Sequence, residues 1–242
     1  MSFGIIGYGS FGKFIAGVLS EFGDTVIASR RETDVPRDAK YKAAGFEEAA
    51  SRKIVILAVG LDALEETSRK LAPHVSEKTI VVDVTSVKLK PIDILTRTLG
   101  GKCRILATHP LFGPHTVPGG KLAGQSIVVC PYEFDGRDKI MDFLKNKLGL
   151  KVIEMSAEDH DKEMAWVHGL TFFVGRGLME LDPPKSGLST GYYQKLLDLV
   201  ELESSHSIEL FNTVQRGNPY AADIRRELIG RLESIDAQLK DK

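Results

Sequence analysis

Gly7-Tyr8-Gly9-Ser10-Phe11-Gly12 joins an apolar strand to a helical segment through a G-x-G-x-x-G turn. The spacing suits a pyrophosphate: Gly7 allows the tight turn, Gly9 lets the phosphate approach the backbone, and Gly12 lets helix and strand pack closely. Amides near Ser10 and Phe11 then face the anion at the start of the helix. A turn with no ligand would use the same residue types, but the leading strand and the apolar positions Phe14, Ile15, Val18 and Leu19 favour a dinucleotide. After the next apolar run stand Ser29, Arg30 and Arg31. An acid there would bind the ribose 2′-hydroxyl of NAD, whereas a hydroxyl and two guanidinium groups suit a 2′-phosphate, so NADP is expected over NAD. The competing reading is that these arginines are solvated or pair with Glu32. Two further clusters, Asp83-Val84-Thr85-Ser86-Val87-Lys88 and Thr108-His109-Pro110 through Thr116, follow apolar runs. A histidine such as His109 titrates near neutrality and can take a proton from an alcohol; the alternative is a strand-end histidine bonded to backbone.

The elements that must carry these residues follow from the apolar pattern. Strands are expected at Thr25–Ser29, Ile54–Val59, Thr79–Val84, Arg104–Ala107 and Ser126–Val129, with Lys151–Glu154 a candidate edge. The third strand, Ile54–Val59, is continuously apolar, as in a parallel strand covered on both faces, and Val59 ends it where the nicotinamide half of a dinucleotide belongs. Regular structure is expected to resume over Phe46–Ala50, and helices are expected over Leu61–Leu71 and Leu89–Leu95. Ser86 reads alternatively as the N-cap of the last, and Lys88 as a solvated first-turn lysine. This alternation predicts an α/β fold, a Rossmann-type doubly wound, mostly parallel sheet over residues 1–155. Residues 156–242 predict a small all-helical domain: one long helix over 157–181, apolar on nearly all sides and therefore buried, then helices over Tyr193–Gln215 and Tyr220–Leu239. So small a helical unit has a poor surface-to-volume ratio, which predicts a homodimer through these helices.

The chain has 242 residues and a net charge of −1, with basic residues scattered among acids, which argues against nucleic-acid or polybasic membrane partners. Its two cysteines, Cys103 and Cys130, lack metal-ligand spacing, so buried thiols are expected, with no metal and no disulfide. With no bilayer-length apolar run and a strand starting directly after Met1, a cytoplasmic location is expected.

The paired segments Asp83-x-x-Ser86-Val87-Lys88 and His109-Pro110-Leu111-Phe112-Gly113-Pro114 resemble the prephenate/arogenate dehydrogenase family, NAD(P)-dependent enzymes of tyrosine biosynthesis. The likeness continues through Glu158-Asp159-His160-Asp161, the long helix and Tyr193 onward. It implies that His109 is the catalytic base for the hydroxyl of a cyclohexadienyl carboxylate substrate, with hydride passing to the nicotinamide and the ring carboxylate leaving as carbon dioxide. It implies that Ser86 orients the histidine and contacts substrate or nicotinamide. His115 and Thr116 are weaker candidates for a substrate carboxylate, since loop residues of these types are often incidental.

Three departures bear on substrate. The family's glutamine and histidine on the long helix are replaced by His168 and Phe172, which share one face at i, i+4 spacing. His168 is a candidate substrate ligand, against a satisfied core histidine. Leu202 stands where many members carry a carboxylate-binding arginine, so Arg176, Lys195, Arg216 or Arg225 must supply the charge, or the substrate is different. Prephenate or arogenate dehydrogenation is the leading expectation. The alternatives are a dehydrogenase or reductase of another small carboxylic acid, and a nucleotide-binding regulatory protein without catalysis.

Overall fold

The computed structural model describes residues 1–30, 33–117, 119–130 and 136–240. The chain divides into two compact units, Met1–Ala157 and Glu158–Lys242. The first runs β1 (Ser2–Ile6), α1 (Ser10–Leu19), β2 (Asp24–Ala28), β3 (Lys42–Ala43), α2 (Phe46–Ala50), β4 (Ile54–Leu57), α3 (Leu61–Leu71), β5 (Ile80–Asp83), α4 (Leu89–Leu99), β6 (Arg104–Pro110), β7 (Ser126–Val129), α5 (Arg137–Asp142) and β8 (Lys151–Glu154). The strands form one sheet in the order β3-β2-β1-β4-β5-β6-β7-β8, parallel except where β6 meets β7. The expected doubly wound, mostly parallel sheet is present.

Alternate residues of each strand feed two cores. Phe3, Ile5, Ile27, Ile56 and Leu106 pack with Ile15 and Leu19 of α1 and Met141 of α5. Ile6, Val26, Val55, Leu57 and Ile105 pack with Leu64 of α3 and Leu95 and Leu99 of α4. Burial on both faces is why these strands read as unbroken apolar runs rather than alternating ones. Strand order reverses between β1 and β4, which opens a ligand crevice beyond their carboxyl ends.

Several expectations are corrected. β6 continues through Thr108, His109 and Pro110, because these residues pair antiparallel with Val129, Val128 and Ile127; His109 lies within a strand, not in the loop after it. Ser86 is not a helix cap: α4 starts at Leu89, with Lys88 at the N-cap position. Nor is Lys88 solvated, for its side chain is wholly buried against Asp83. Cys130 is buried but Cys103 only partly so, and the two are not joined; burial pushes the Cys103 thiol up to about 11.

In the second unit the long helical run is α6 (Ala157–Met164), a π-helical segment Ala165–Leu170, and α7 (Thr171–Leu181). It is not buried on all sides, since Trp166 and Val167 are each 53% exposed. The expected helix over Tyr193–Gln215 is two helices, α8 (Gly191–Ser204) and α9 (Ile208–Gly217). The break occurs where the Ser207 hydroxyl accepts the Leu210 amide at 3.2 Å and starts a new helix. α10 (Ala221–Lys240) follows. The π segment is held from α9: Gln215 Nε2 donates to the Gly169 carbonyl at 2.7 Å, and Arg225 donates to Gln215 Oε1 at 2.7 Å. Among the described residues no helix is long and apolar enough to cross a membrane.

Candidate active site

The glycine turn meets its steric requirements. Gly7 has φ 120°, outside the region side chains favour, and a Cβ on it would lie 2.1 Å from the Ala58 carbonyl oxygen just past β4. A Cβ on Gly12 would lie 2.0 Å from the Gly7 carbonyl oxygen, so α1 can sit this close to the turn only with glycine there. At Gly9 a Cβ would meet nothing within 4 Å; this residue is the N-cap of α1, and its face is open. The first turn of α1 has no acidic residue and no side-chain cap, which leaves the amides around Ser10 and Phe11 and the helix dipole directed at an incoming anion. Val59 closes the turn from the β4 side, its Cγ1 lying 3.3 Å from the position of a Gly7 Cβ. A dinucleotide pyrophosphate fits this cradle on steric and electrostatic grounds.

Ser29 directly follows β2, whose last carbonyl, Ala28, accepts the Gly7 amide at 2.8 Å. Ser29 and Arg30 are both exposed. Among the described residues Arg30 pairs with Glu66, at 3.8 Å with both side chains about three-quarters exposed, a contact weak enough to yield to a ligand phosphate. Arg31, with Glu32, lies outside the described residues. Lys13, which the sequence reading passed over, stands with its ammonium 4.3 Å from the centre of the Tyr8 ring inside the glycine turn, adding a cation to this end. Its signal was a lysine directly after the last glycine of the motif.

β5 and β6 run parallel with Asp83 opposite Ala107, so Ser86, just past the end of β5, and His109, next to last in β6, both lie toward the same carboxyl edge of the sheet. His109 is 3% exposed and Thr108 1%. The two segments are cross-linked beneath this edge. Lys88 Nζ is ion-paired to Asp83 Oδ2 and donates to the Thr108 carbonyl at 2.6 Å and to Thr85 Oγ1 at 3.3 Å. Thr108 Oγ1 donates to the Asp83 carbonyl at 2.7 Å, and the Thr85 amide donates to Asp83 Oδ1 at 3.0 Å. Thr85, Val87 and Lys88 are buried while Ser86 between them is only half-buried. Asp83, Lys88 and Thr108 stand in the two clusters singled out from the sequence, where Asp83 and Thr108 had no role of their own and Lys88 read as a solvated lysine; their cross-strand bonding is what the structure adds. His115 is exposed on the following loop. Thr116 is exposed too, and its hydroxyl closes its own turn, accepting the Gly113 amide at 2.9 Å.

In the helical unit, His168 stacks on Phe172 with ring centroids 5.1 Å apart, and Phe172 contacts His206 at 4.3 Å. Burial first, then the neighbouring His160 and His206, pushes the His168 imidazole down to about 4, so it is neutral at physiological pH. His206 Nδ1 lies 3.2 Å from Glu203 Oε2, and Glu203, 1% exposed, accepts from Arg176 Nη2 at 2.9 Å. Of the four cations considered as replacements for an arginine at Leu202, Arg176 is therefore neutralised by Glu203 and Arg225 is engaged with Gln215, while Lys195 and Arg216 are exposed.

Residues 23–153 match the family model described as prephenate dehydrogenase, nucleotide-binding domain, and residues 178–242 match one described as TYRAAT1-like, C-terminal domain. The chain is 29% identical to the "Probable arogenate/prephenate dehydrogenase" of Methanocaldococcus jannaschii, over 98% of its own length and 56% of that protein's. It is 30% identical to arogenate dehydrogenase 2, chloroplastic, of Arabidopsis thaliana, over 97% of its own length and 69% of that protein's. The chain thus spans little more than half the length of the first of these relatives. Its fold matches the crystal structure of prephenate dehydrogenase from A. aeolicus in complex with hydroxyphenyl propionate and NAD+, with a TM-score of 0.71, 20% identity, and coverage of 100% of this chain and 92% of the other.

Proposed function

Because the chain belongs to the prephenate dehydrogenase family, we propose that it catalyses oxidative decarboxylation of prephenate or arogenate with NADP, using His109 as base. The observation that carries this reading is the shared sheet edge: Ser86 just past β5 and His109 near the end of the neighbouring β6 lie toward the carboxyl end of the sheet, where the glycine turn after β1 also opens.

When bound, the nicotinamide accepts a hydride from the ring carbon bearing the hydroxyl. His109 takes the hydroxyl proton as that bond to hydrogen breaks, so the oxygen becomes a carbonyl and the ring a dienone. Loss of the ring carboxylate as carbon dioxide sends its bonding electrons into the ring, giving an aromatic phenolate, and His109 returns the proton to give the phenol. Ser86, on the bend that follows β5, orients the hydroxyl. Burial of His109 keeps water from competing for the proton. Ser29 and Arg30 favour NADP, since neither repels a 2′-phosphate and the guanidinium can bind one. Arogenate is favoured slightly over prephenate, because this sequence has Leu202 where many family members have a carboxylate-binding arginine, and a zwitterionic side chain needs less cationic compensation than a purely anionic one.

The exposed leucines and isoleucines of α10 support a homodimer through the helical unit. A second reading, oxidation of another small hydroxy acid, draws on Leu202 and on the neutralisation of Arg176 by Glu203. One assay separates them: NADPH absorbance with prephenate, with arogenate and with other hydroxy acids, repeated with NAD. Signal with either cyclohexadienyl substrate is expected. Signal only with other acids would replace the substrate assignment, and equal use of NAD would remove the argument from Ser29 and Arg30.

A further inference from the structure

We propose that Lys88 is a positioning residue for the reaction: paired with Asp83, it latches the Ser86 bend to the His109 peptide and fixes the two reacting groups relative to one another. The inference rests on the function proposed above and extends it to residues that touch neither substrate nor dinucleotide.

Lys88 and Asp83 are both wholly buried, which is costly for two charges. An isosteric neutral or apolar pair would commonly be as stable, so stability alone does not account for them. The bonding pattern does. Lys88 Nζ holds the Thr108 carbonyl at 2.6 Å, and that carbonyl belongs to the peptide that ends at the His109 nitrogen. Thr108 is gripped a second time, by its own hydroxyl on the Asp83 carbonyl at 2.7 Å. On the other strand, Asp83 Oδ1 takes the Thr85 amide, and Thr85 Oγ1 donates to the Val87 carbonyl at 2.9 Å, bridging the residues on either side of Ser86. Ser86 thus sits in a bend whose flanking residues are tied, through Lys88, to the backbone just before His109. An ammonium can do this where a neutral side chain cannot: it points three donors in diverging directions, here at the Asp83 carboxylate, the Thr85 hydroxyl and the Thr108 carbonyl. Displacing a reacting group by about 1 Å costs on the order of a hundredfold in rate, so the latch is expected to act on kcat rather than on binding.

The test uses the full chain. Lys88→Met alone strands a buried carboxylate and is expected to unfold, so the informative variant is Asp83→Asn/Lys88→Met, which removes both charges and the donor to Thr108 while keeping shape. It is expected to fold, to bind NADPH with wild-type affinity by fluorescence titration, to keep its KM for NADP, and to lose about a hundredfold in kcat. Thr85→Val keeps the ion pair but loosens the bend, and is expected to lose kcat several-fold with NADPH affinity unchanged. A double variant with wild-type kcat overturns the proposal; if the double variant does not fold, wild-type kcat in Thr85→Val overturns it instead. Should the wild-type protein turn over neither cyclohexadienyl substrate, the functional reading fails separately. The latch is then read from the His109 imidazole proton resonance, assigned by its loss in His109→Asn. That signal is expected to titrate at a different pH in the double variant, or in Thr85→Val where the double variant does not fold, and an unchanged titration overturns the latch.

Discussion

At the scale of single residues, the proposed function assigns the dinucleotide and the chemistry to different groups, and substitution should separate them. His109→Asn keeps size and hydrogen bonding but removes the proposed base; it is expected to lower kcat by about 10²- to 10⁴-fold while NADPH affinity, measured by fluorescence, stays at the wild-type value. Retained turnover would end the assignment of His109 as base. Arg30 makes the opposite case. Among the described residues its guanidinium makes a distant, exposed contact to Glu66, so Arg30→Ala removes little from the fold. It should raise KM for NADP about tenfold, the worth of one charge-assisted hydrogen bond, and leave KM for NAD nearly unchanged. Equal effects on both cofactors would show that Arg30 does not meet the 2′-phosphate. The residues proposed for these roles could be singled out in the sequence because each stands in a short segment: Arg30 after the second strand, and His109 in the segment that carries the family resemblance. Lys88 was not legible: its burial depends on the Thr108 carbonyl, donated by another strand, and nothing local distinguishes it from a solvated first-turn lysine.

Elements with local signals were read closely, and those decided by distant partners were not. α3 begins directly after Gly60 and ends at Leu71 as its amphipathic pattern requires, and the crossovers from strand to helix made the doubly wound sheet plain. The extension of β6 through His109 depends on antiparallel pairing to β7, which no property of Thr108-His109-Pro110 announces. The π segment is similar. It requires a partner for the Gly169 carbonyl, and Gln215 supplies one from α9. That segment carries His168, whose low pKa couples it to stability. Because the folded value, about 4, lies below the ordinary 6.5, the unfolded chain binds a proton that the folded chain refuses. The contribution of neutral His168 is complete above pH 6.5 and is lost as pH falls from there toward 4. By pH 5 the loss reaches about 2 kcal/mol. His168→Phe should therefore show a smaller drop in denaturation midpoint between pH 7.5 and pH 5 than the wild type; identical drops would mean that His168 does not titrate in this window.

At the scale of the whole molecule, the open question is what covers the second half of α10. From Ile229 to Lys240 every residue is exposed, including Ile229, Leu232, Ile235 and Leu239, the last 72% exposed. Leu228, Leu232, Ile235 and Leu239 recur at steps of four, three and four residues, the a/d seam of a helix that packs along another helix. Charged residues such as Arg231, Glu233 and Asp236 lie between them, so the seam is a stripe and not a uniformly apolar rod. Burying such a stripe against the same stripe of a second copy makes an isologous contact, the commonest way for one chain to close an assembly. Trp166 and Val167 on the π segment present further exposed apolar area within the same unit. The chain is therefore expected to sediment as a dimer at micromolar concentration. Leu232→Glu/Ile235→Glu places two carboxylates in the seam of each copy, where burial without partners is prohibitive. Neither side chain packs in the core of the single chain, so the variant should keep its helical circular dichroism and its NADPH affinity while sedimenting as a monomer. A wild-type protein that sediments as a monomer, or a doubly charged variant that remains dimeric, would show that the α10 seam does not hold two copies together.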